Sequence, residues 1–441
     1  MRKKILILGN GFDLAHGLPT KYSDFLTFSE WAMRIYTYSN QPDADKKYTD
    51  SLLTELTKKA PIPLAYVFLK EKLCDLFKCR VIEELPVSDN LFANAKSVKV
   101  NERLDYFHNY LIKNIWYEYI KTLFEKGKTI GENWIDFESE ISFIIERLDD
   151  TSNSLKHFLN DVQQRYNDTE AEDDYKDKMN LFVRVCGQCC DGNEYNAIRT
   201  LTLDALRKRL YKDLENLTLA FEIYLTDFVC EIPIKITIPL IKKINPDFII
   251  SFNYTDTYEK YYMDDNARKE NRICHIHGVC VRDRKPEDNN MVLGIDEYLS
   301  EELRNKSVDY CIFKKFVQRL RKHNDVSYAS WAREIEKRGK DASSIKQSLM
   351  DEDAVLAGEY SNTENNTDIY IYGHSLDITD KDILQRFLIS KYTHVHVFAR
   401  NKMTEEKLIA NLIRIMGEDT IIRKSTTNPQ MIQLMLGEME K

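Results

Sequence analysis

Four short stretches of this chain set glycine, asparagine, histidine and small hydroxyl residues directly after apolar runs, where a sheet would present them to a ligand. The first is Gly9-Asn10-Gly11-Phe12-Asp13, running on to His16-Gly17-Leu18-Pro19-Thr20. Glycine after a buried strand lets backbone approach a phosphate, and amides opening the next helix can donate to it. The spacing is G-x-G-x5-G and not the G-x-G-x-x-G dinucleotide fingerprint, so a tight structural turn is the competing reading. In the second, Ser251-Phe252-Asn253-Tyr254-Thr255-Asp256, Asn253 and Thr255 stand outside the end of an apolar strand, where open α/β sheets meet their ligands. An asparagine there is also an ordinary turn residue.

The third stretch is His275-Ile276-His277-Gly278. Strand alternation predicts both imidazoles on one face, which suits a metal, yet no carboxylate or cysteine pattern completes a ligand set. Imidazole also titrates near neutral pH and can act as a general base, and a purely structural pair is the plainer alternative. In the fourth, Tyr372-Gly373-His374-Ser375-Leu376-Asp377, Gly373 and Ser375 can face phosphate and Asp377 can hold ribose hydroxyls. Asp377 or Thr379 would equally serve as an N-cap for the following helix. A fifth stretch, Asn133 to Glu138, offers Asp136 and Glu138 either to a substrate or, as the expected reading, to the acidic first turn of a helix.

The elements that must position these residues follow from periodicity. Lys3 to Leu8 is nearly all apolar, as a strand buried on both faces of a parallel sheet should be. From about Phe25 to Ile244, charged and aromatic stretches with helical spacing dominate, such as Leu104 to Phe124 and Ile198 to Phe228. Polar breaks interrupt them at Asn40 to Lys46, Glu84 to Asn90 and the acidic run Asn167 to Asp177, read as a solvated loop. Strands return at Pro246 to Ser251, Ile273 to His277 and Met291 to Ile295, before a helical stretch from Ser300 to Leu349 and a polar loop from Gly358 to Asp368. The end of the chain alternates: strand Asp368 to Tyr372, helix Lys381 to Ser390, strand His394 to Ala399, helix Glu405 to Met416, strand Thr420 to Arg423, helix Gln430 to Met439. This pattern predicts an α/β fold, a doubly wound, mostly parallel sheet with a large α-helical insertion. The core is expected from 1–24 plus 245–441 and the insertion from 25–244.

Composition narrows the classes. The chain has 441 residues, 43% hydrophobic and 30% charged, which describes a folded protein with room for two or three compact units. A formal charge of −8, from 63 basic and 71 acidic residues, argues against nucleic acid as a partner bound broadly through its phosphates. No apolar run approaches the roughly 20 residues that span a bilayer, and the apolar part of the N-terminus is too short for a secretory signal. Nine cysteines, an odd number without regular spacing, fit free thiols in a reducing compartment, so a cytoplasmic location is expected and no membrane partner. The CxxC pair Cys186 and Cys189 has no second pair to complete a zinc site and is expected to be structural, with no metal.

Taken together, GNGFDLAHGLPTKY from Gly9, SFNYTDTYE from Ser251, CHIHG from Cys274 and IYGHSL from Ile371 resemble the bacterial abortive infection AbiH family, and WIDFE from Trp134 adds to the match. That family resembles, more distantly, the sirtuin-type NAD-binding fold, a Rossmann-like core. The second resemblance covers about 200 residues and implies that Gly9, Gly11, Gly17 and Pro19, with Asn10 and Asp13 in the same turn, lie over the dinucleotide. It puts Asn253 on the catalytic asparagine, His277 on the catalytic histidine, and Gly373 and Ser375 near the adenosine half, with Thr255 and Asp377 beside the cofactor. Departures from protein-deacylating sirtuins are plain. Thr20-Lys21-Tyr22 replaces an acidic residue and an FR pair, Thr255 replaces an aspartate, and Cys274, Cys280 and Cys311 lack the CxxC pairing of a zinc module.

The resemblance therefore implies the activity of sirtuin-like domains in antiphage systems: hydrolysis of NAD+, as substrate, to nicotinamide and ADP-ribose. The helical insertion becomes a candidate sensor of a phage-derived trigger or a homo-oligomer surface. The alternatives are a nucleotide-binding sensor that does not cleave, and a hydrolase or transferase acting on another nucleotide or on nucleic acid.

Overall fold

The computed structural model describes residues 2–39, 96–125, 134–150, 160, 173–190, 202–232, 234, 236–264, 272–295, 308–352, 366–427 and 430–436. It divides into two compact units: Met1–Gly17 with Ile234–Val279 and Arg319–Lys441, and Leu18–Pro233 with Cys280–Gln318. No helix among the described residues is long and apolar enough to cross a membrane.

The first unit is α/β. Its sheet has six strands, all parallel: β1 (Lys4–Leu8), β2 (Phe248–Ser251), β3 (Ile273–His275), β4 (Thr367–Tyr372), β5 (Thr393–Ala399) and β6 (Ile432–Leu436), in the order β3-β2-β1-β4-β5-β6. β1 is central because both its faces are apolar. Ile5 and Ile7 join a buried cluster with Ile250, Ile371, Val395 and the helix Lys381–Leu388, while Leu6 and Leu8 pack with Phe12, Ile241, Ile244 and Ile249. Each such buried Ile or Leu contributes about 1.5–3 kcal/mol.

Register decides where function can sit. Leu8 pairs with Ser251 and with Tyr372, and Ser251 pairs with His275, so β1, β2, β3 and β4 end on one row. The residues that follow (Gly9, Asn253, His277 and Gly373) all emerge from that one edge. The order of strands reverses between β1 and β4 on the same edge.

Several elements differ from the sequence reading. Thr420–Arg423 is not a strand; it lies in the helix Glu418–Ser425, whose first turn carries Glu418 and Asp419 and whose last carries Arg423 and Lys424, an arrangement the helix dipole favours. Lys424 is buried and its ammonium donates to the carbonyls of Ser390 and Thr393 at 2.6 and 2.7 Å, tying that helix to the start of β5. Gln430 to Met439 is not a helix: Ile432–Leu436 pairs with β5 in register from Val395, and ladder bonds outweigh the helical preference of Gln, Leu and Met. Residues 437–439 lie outside the described residues.

Met291 to Ile295 is buried but forms only an isolated bridge from Ile295 to Lys314, because the Gln318 amide, donating to Leu293 O, takes the place of a neighbouring strand. The stretch Ser300 to Leu349 holds two helices, Lys315–Arg321 and Ser327–Glu352, with 300–307 outside the described residues.

The second unit is mostly helical among its described residues. Leu104 to Phe124 splits into Lys96–Leu111 and Ile115–Glu125, since Lys113 takes a left-handed φ of 55° and Asn114 caps the second helix through Tyr117 N. Residues 173–177 of the acidic run open the helix Asp173–Cys189, whereas 167–172, Asn40 to Lys46, Glu84 to Asn90 and 358–365 lie outside the described residues. A buried aromatic cluster of Tyr22, Phe25, Phe28, Phe107, Phe137 and Tyr224 forms its core, with Tyr22 stacked on Phe137 at 4.3 Å.

Candidate functional site

The glycine turns after β1 and β4 are packed backbone against backbone. A Cβ on Gly9 would stand 2.5 Å from His374 Cα, and one on Gly11 would stand 2.7 Å from Gly373 Cα. Gly373 has φ +69°, a left-handed conformation, and its own Cβ would stand 2.3 Å from Phe12 N. The Gly11 amide donates to Gly373 O at 2.8 Å and the Gly9 amide to Tyr372 O at 3.1 Å. The close approach these glycines permit is thus made by the chain to itself, and the contact locks the ends of β1 and β4 together. Asn10 opens the short helix Asn10–Ala15 behind this turn.

Asp13, on that helix, is buried and reaches the end of β2. Thr255 Oγ1 donates to Asp13 Oδ2 at 2.7 Å, and Thr257 Oγ1 lies 3.0 Å from Thr255 Oγ1. Burial pushes the Asp13 carboxyl up to about 6, against the hydrogen bonds from Thr255 and Thr257. Asp13 Oδ1 and Asn253 Oδ1 are both buried with no hydrogen-bond partner among the described residues.

The strand β3 ends at His275, and His277 follows in a turn, so the two histidines do not share a face as alternation predicts. His275 Nδ1 meets Asn253 O at 3.3 Å and Nε2 meets Glu259 Oε1 at 2.6 Å. Two acceptors require two N–H donors, which only the imidazolium supplies. Burial opposes that charge, but the hydrogen bond and charge of Glu259 outweigh it and the His275 pKa is raised. In that imidazolium form His275 braces the Asn253 backbone.

A carboxyl with a raised folded pKa gives stability that is present below its unfolded value near 3.8 and lost as pH climbs through about 6. For Asp13 this amounts to about 3 kcal/mol. His275, raised from 6.5, also gives stability that is lost as pH rises through its folded pKa, so Asp13 must be isolated by substitution. In thermal denaturation from pH 3.5 to 7, Asp13→Asn is expected to gain on the wild type progressively as pH rises; parallel curves would contradict the assignment.

His277 is buried, and its Nε2 meets Asp380 Oδ1 at 3.0 Å. The other oxygen, Oδ2, lies 3.5 Å from His374 Nε2. The Phe252 ring stands edge-on to both imidazoles, at 5.4 Å from His277 and 4.3 Å from His374. Leu376, buried with φ 56°, turns its amide onto His374 Nδ1 at 2.8 Å. A left-handed leucine costs about 1 kcal/mol or more, so the fold holds this turn against local preference.

Sequence reasoning missed Asp380, which is 103 residues from His277 and reads as an ordinary residue before a helix. Its histidine neighbours were the available signal. It also missed Glu259, which lies inside the stretch Ser251 to Glu259 and gives no sign of its role until His275 is placed opposite.

The other candidates have local work. Asp377 caps the turn Ile378–Asp380 through Thr379 N at 3.0 Å, and Ser375 O accepts from Asn411. Gly17 has φ +78° with open space around it, and the Pro19 carbonyl, in the second unit, accepts from Tyr224 OH at 2.7 Å. A helix does start at this acidic stretch, Trp134–Asp150, and Glu138, just past its first turn, is buried and paired with buried Lys315 at 2.8 Å. The helix carries Asp136 in its first turn, and the Asp136 side chain lies outside the described residues. Cys186 and Cys189 are buried in a helix, and burial raises both thiol pKa values, that of Cys189 to about 12. A surface groove of about 520 Å³ lined by Ala332, Arg333, Glu336, Lys337, Lys340 and Arg386 shares no residue with the strand-end cluster.

Comparison with curated proteins and with solved structures gave no match. A family model does match, described as bacteriophage abortive infection AbiH, over residues 5–398. That span runs from β1 almost to the end of β5 and takes in all four strand-end stretches. The chain belongs to the bacteriophage abortive infection AbiH family, which points to a role in abortive infection by phage.

Proposed function

We propose that the protein binds NAD+ at the ends of β1, β2, β3 and β4 and hydrolyses it to nicotinamide and ADP-ribose during phage infection. One observation carries this reading. Asn253 and Asp13 bury acceptor oxygens that meet no donor among the described residues, on the sheet edge that also carries His277. An unmet buried acceptor costs about 1–3 kcal/mol, and a ligand that brings hydroxyl or amide donors removes that cost. Ribose hydroxyls and a carboxamide supply such donors.

The strand order β3-β2-β1-β4-β5-β6, with apolar clusters on both faces, supports a doubly wound, sirtuin- or Rossmann-like reading of the sheet. In such sheets ligands enter at the point where the order reverses, here between β1 and β4. Within this reading Asn253 holds the attacking water or the ribose next to nicotinamide, and His277 takes a proton as the glycosidic bond opens. The nicotinamide ring nitrogen is already cationic in NAD+, takes the electron pair of the breaking bond and departs neutral with little assistance, so positioning and charge supply most of the acceleration.

The test is to follow cellular NAD+ through phage infection in cells carrying the wild type, alongside calorimetric binding of NAD+ to the purified protein at low and high salt. The proposal expects a fall in NAD+ after infection and binding that changes little with salt. Saturable binding without any fall in NAD+ would replace hydrolysis by a sensing role; binding to oligonucleotides that weakens steeply with salt would point to nucleic acid.

A further inference from the structure

We propose that Asp380 is a positioning residue that fixes the protonation pattern of His277, beside a His374 whose own pattern is set by backbone, leaving His277 with its basic lone pair on Nδ1. The catalytic meaning of that lone pair rests on the proposed hydrolysis; the protonation pattern itself does not.

The Leu376 amide is a donor and nothing else, so His374 Nδ1, 2.8 Å away, must be the acceptor nitrogen. Neutral His374 then carries its proton on Nε2, which faces Asp380 Oδ2. The second carboxylate oxygen, Oδ1, receives His277 Nε2 at 3.0 Å, so His277 also carries its proton on Nε2. Asp380 thus accepts from His277 through Oδ1 and holds Oδ2 3.5 Å from His374 Nε2, an ion-pair approach longer than a good hydrogen bond, and the Phe252 ring edge-on to both limits their rotation.

The carboxylate is buried at a point where negative charge is favoured. Asp380 closes the turn Ile378–Asp380, capped by Asp377, and immediately precedes the helix Lys381–Leu388, whose N-terminus attracts an anion. The neighbouring acid Asp382 is engaged with Arg319.

In the proposed reaction water attacks the ribose carbon that carries nicotinamide. Water loses a proton to His277 Nδ1 while its oxygen forms a bond to the ribose carbon. The bond from that carbon to the nicotinamide nitrogen breaks, and its electron pair neutralises the ring. The imidazolium donates from Nε2 to Asp380, which steadies the charge until the proton passes to solvent. His374 cannot substitute, because its Nδ1 is already bound by backbone.

Asparagine at position 380 has one acceptor oxygen and one amide donor. His374 is obliged to donate and claims the oxygen, so the amide nitrogen is left facing His277 Nε2. Asp380→Asn is therefore expected to move the His277 proton from Nε2 to Nδ1 and to cut turnover by on the order of 10²- to 10⁴-fold. Adding His374→Phe removes the competing donor, frees the single oxygen, and is expected to return the His277 proton to Nε2 and recover part of the turnover.

The experiment is 15N NMR of histidine-labelled full-length protein, with each ring assigned by substitution, in the wild type, Asp380→Asn and the double variant. An Nε2–H signal for both His277 and His374 in the wild type, a switch at His277 alone in Asp380→Asn and its reversal in the double variant are the expected results. An Nδ1–H signal for His277 in the wild type, or an unchanged one in a folded Asp380→Asn, would overturn the proposal. The switch occurring in a protein that never cleaves NAD+ would uphold the role of Asp380 and remove the hydrolytic reading instead.

Discussion

Replacing His277 by glutamine is expected to lower the rate of NAD+ cleavage by about 10²- to 10⁴-fold with the fold preserved. Glutamine can still donate an amide hydrogen to Asp380, so the buried carboxylate keeps a partner in place of the 3.0 Å contact from Nε2. What it lacks is a group that takes a proton near neutral pH. Initial rates and thermal denaturation on the same preparation separate the two effects. A folded variant within about threefold of the wild-type rate would show that His277 takes no proton in the reaction; a collapse of both would mean that the ring is needed for packing against Phe252.

The second large effect is on stability. Gly373→Ala adds two independent costs: a left-handed φ of +69°, about 1–2 kcal/mol for a residue with a Cβ, and overlap with Phe12 N at 2.3 Å and Gly11 C at 2.6 Å. Both obstacles are backbone of the β1 turn and cannot rotate away, so overpacking adds about 1–3 kcal/mol. A total of about 2–5 kcal/mol is expected in urea denaturation. Gly17→Ala is the internal control: its φ of +78° carries the first cost, but a Cβ there meets nothing within 4 Å. Equal losses in the two variants would contradict the packed-turn account. A larger loss at Gly373 would show that the glycines exist first to join β1 to β4, which also brings the Gly9 turn beside His374.

That result bears on how much of the site was legible from residues alone. The ends of β1, β2, β3 and β4 could be read because strands buried on both faces leave unbroken apolar runs, and such runs stop where small polar residues begin. Reading Gly9, Asn253, His277 and Gly373 as neighbours needed only that these strands be parallel and adjacent. The partners could not be read. Asp380 meets His277 and His374 through a turn whose path depends on a left-handed Leu376, a conformation that leucine does not advertise. His275 and His277 look equivalent in an HxH pair, yet the strand stops between them, and one is bound to Glu259 while the other faces Asp380.

Elsewhere, local preference was overruled by pairing. Ile432–Leu436 looks helical alone and becomes a strand because β5 offers a free edge, and Ile421-Ile422 looks extended but sits in a helix held by Lys424.

The measurement that bears most directly on the central claim is product identification after incubation of the purified wild type, and of Asn253→Ala and His277→Ala, with NAD+. The account predicts nicotinamide and ADP-ribose in equal amounts from the wild type and neither from the two variants. NAD+ left intact by wild type taken from phage-infected cells, or cleaved equally well by both variants, would contradict it.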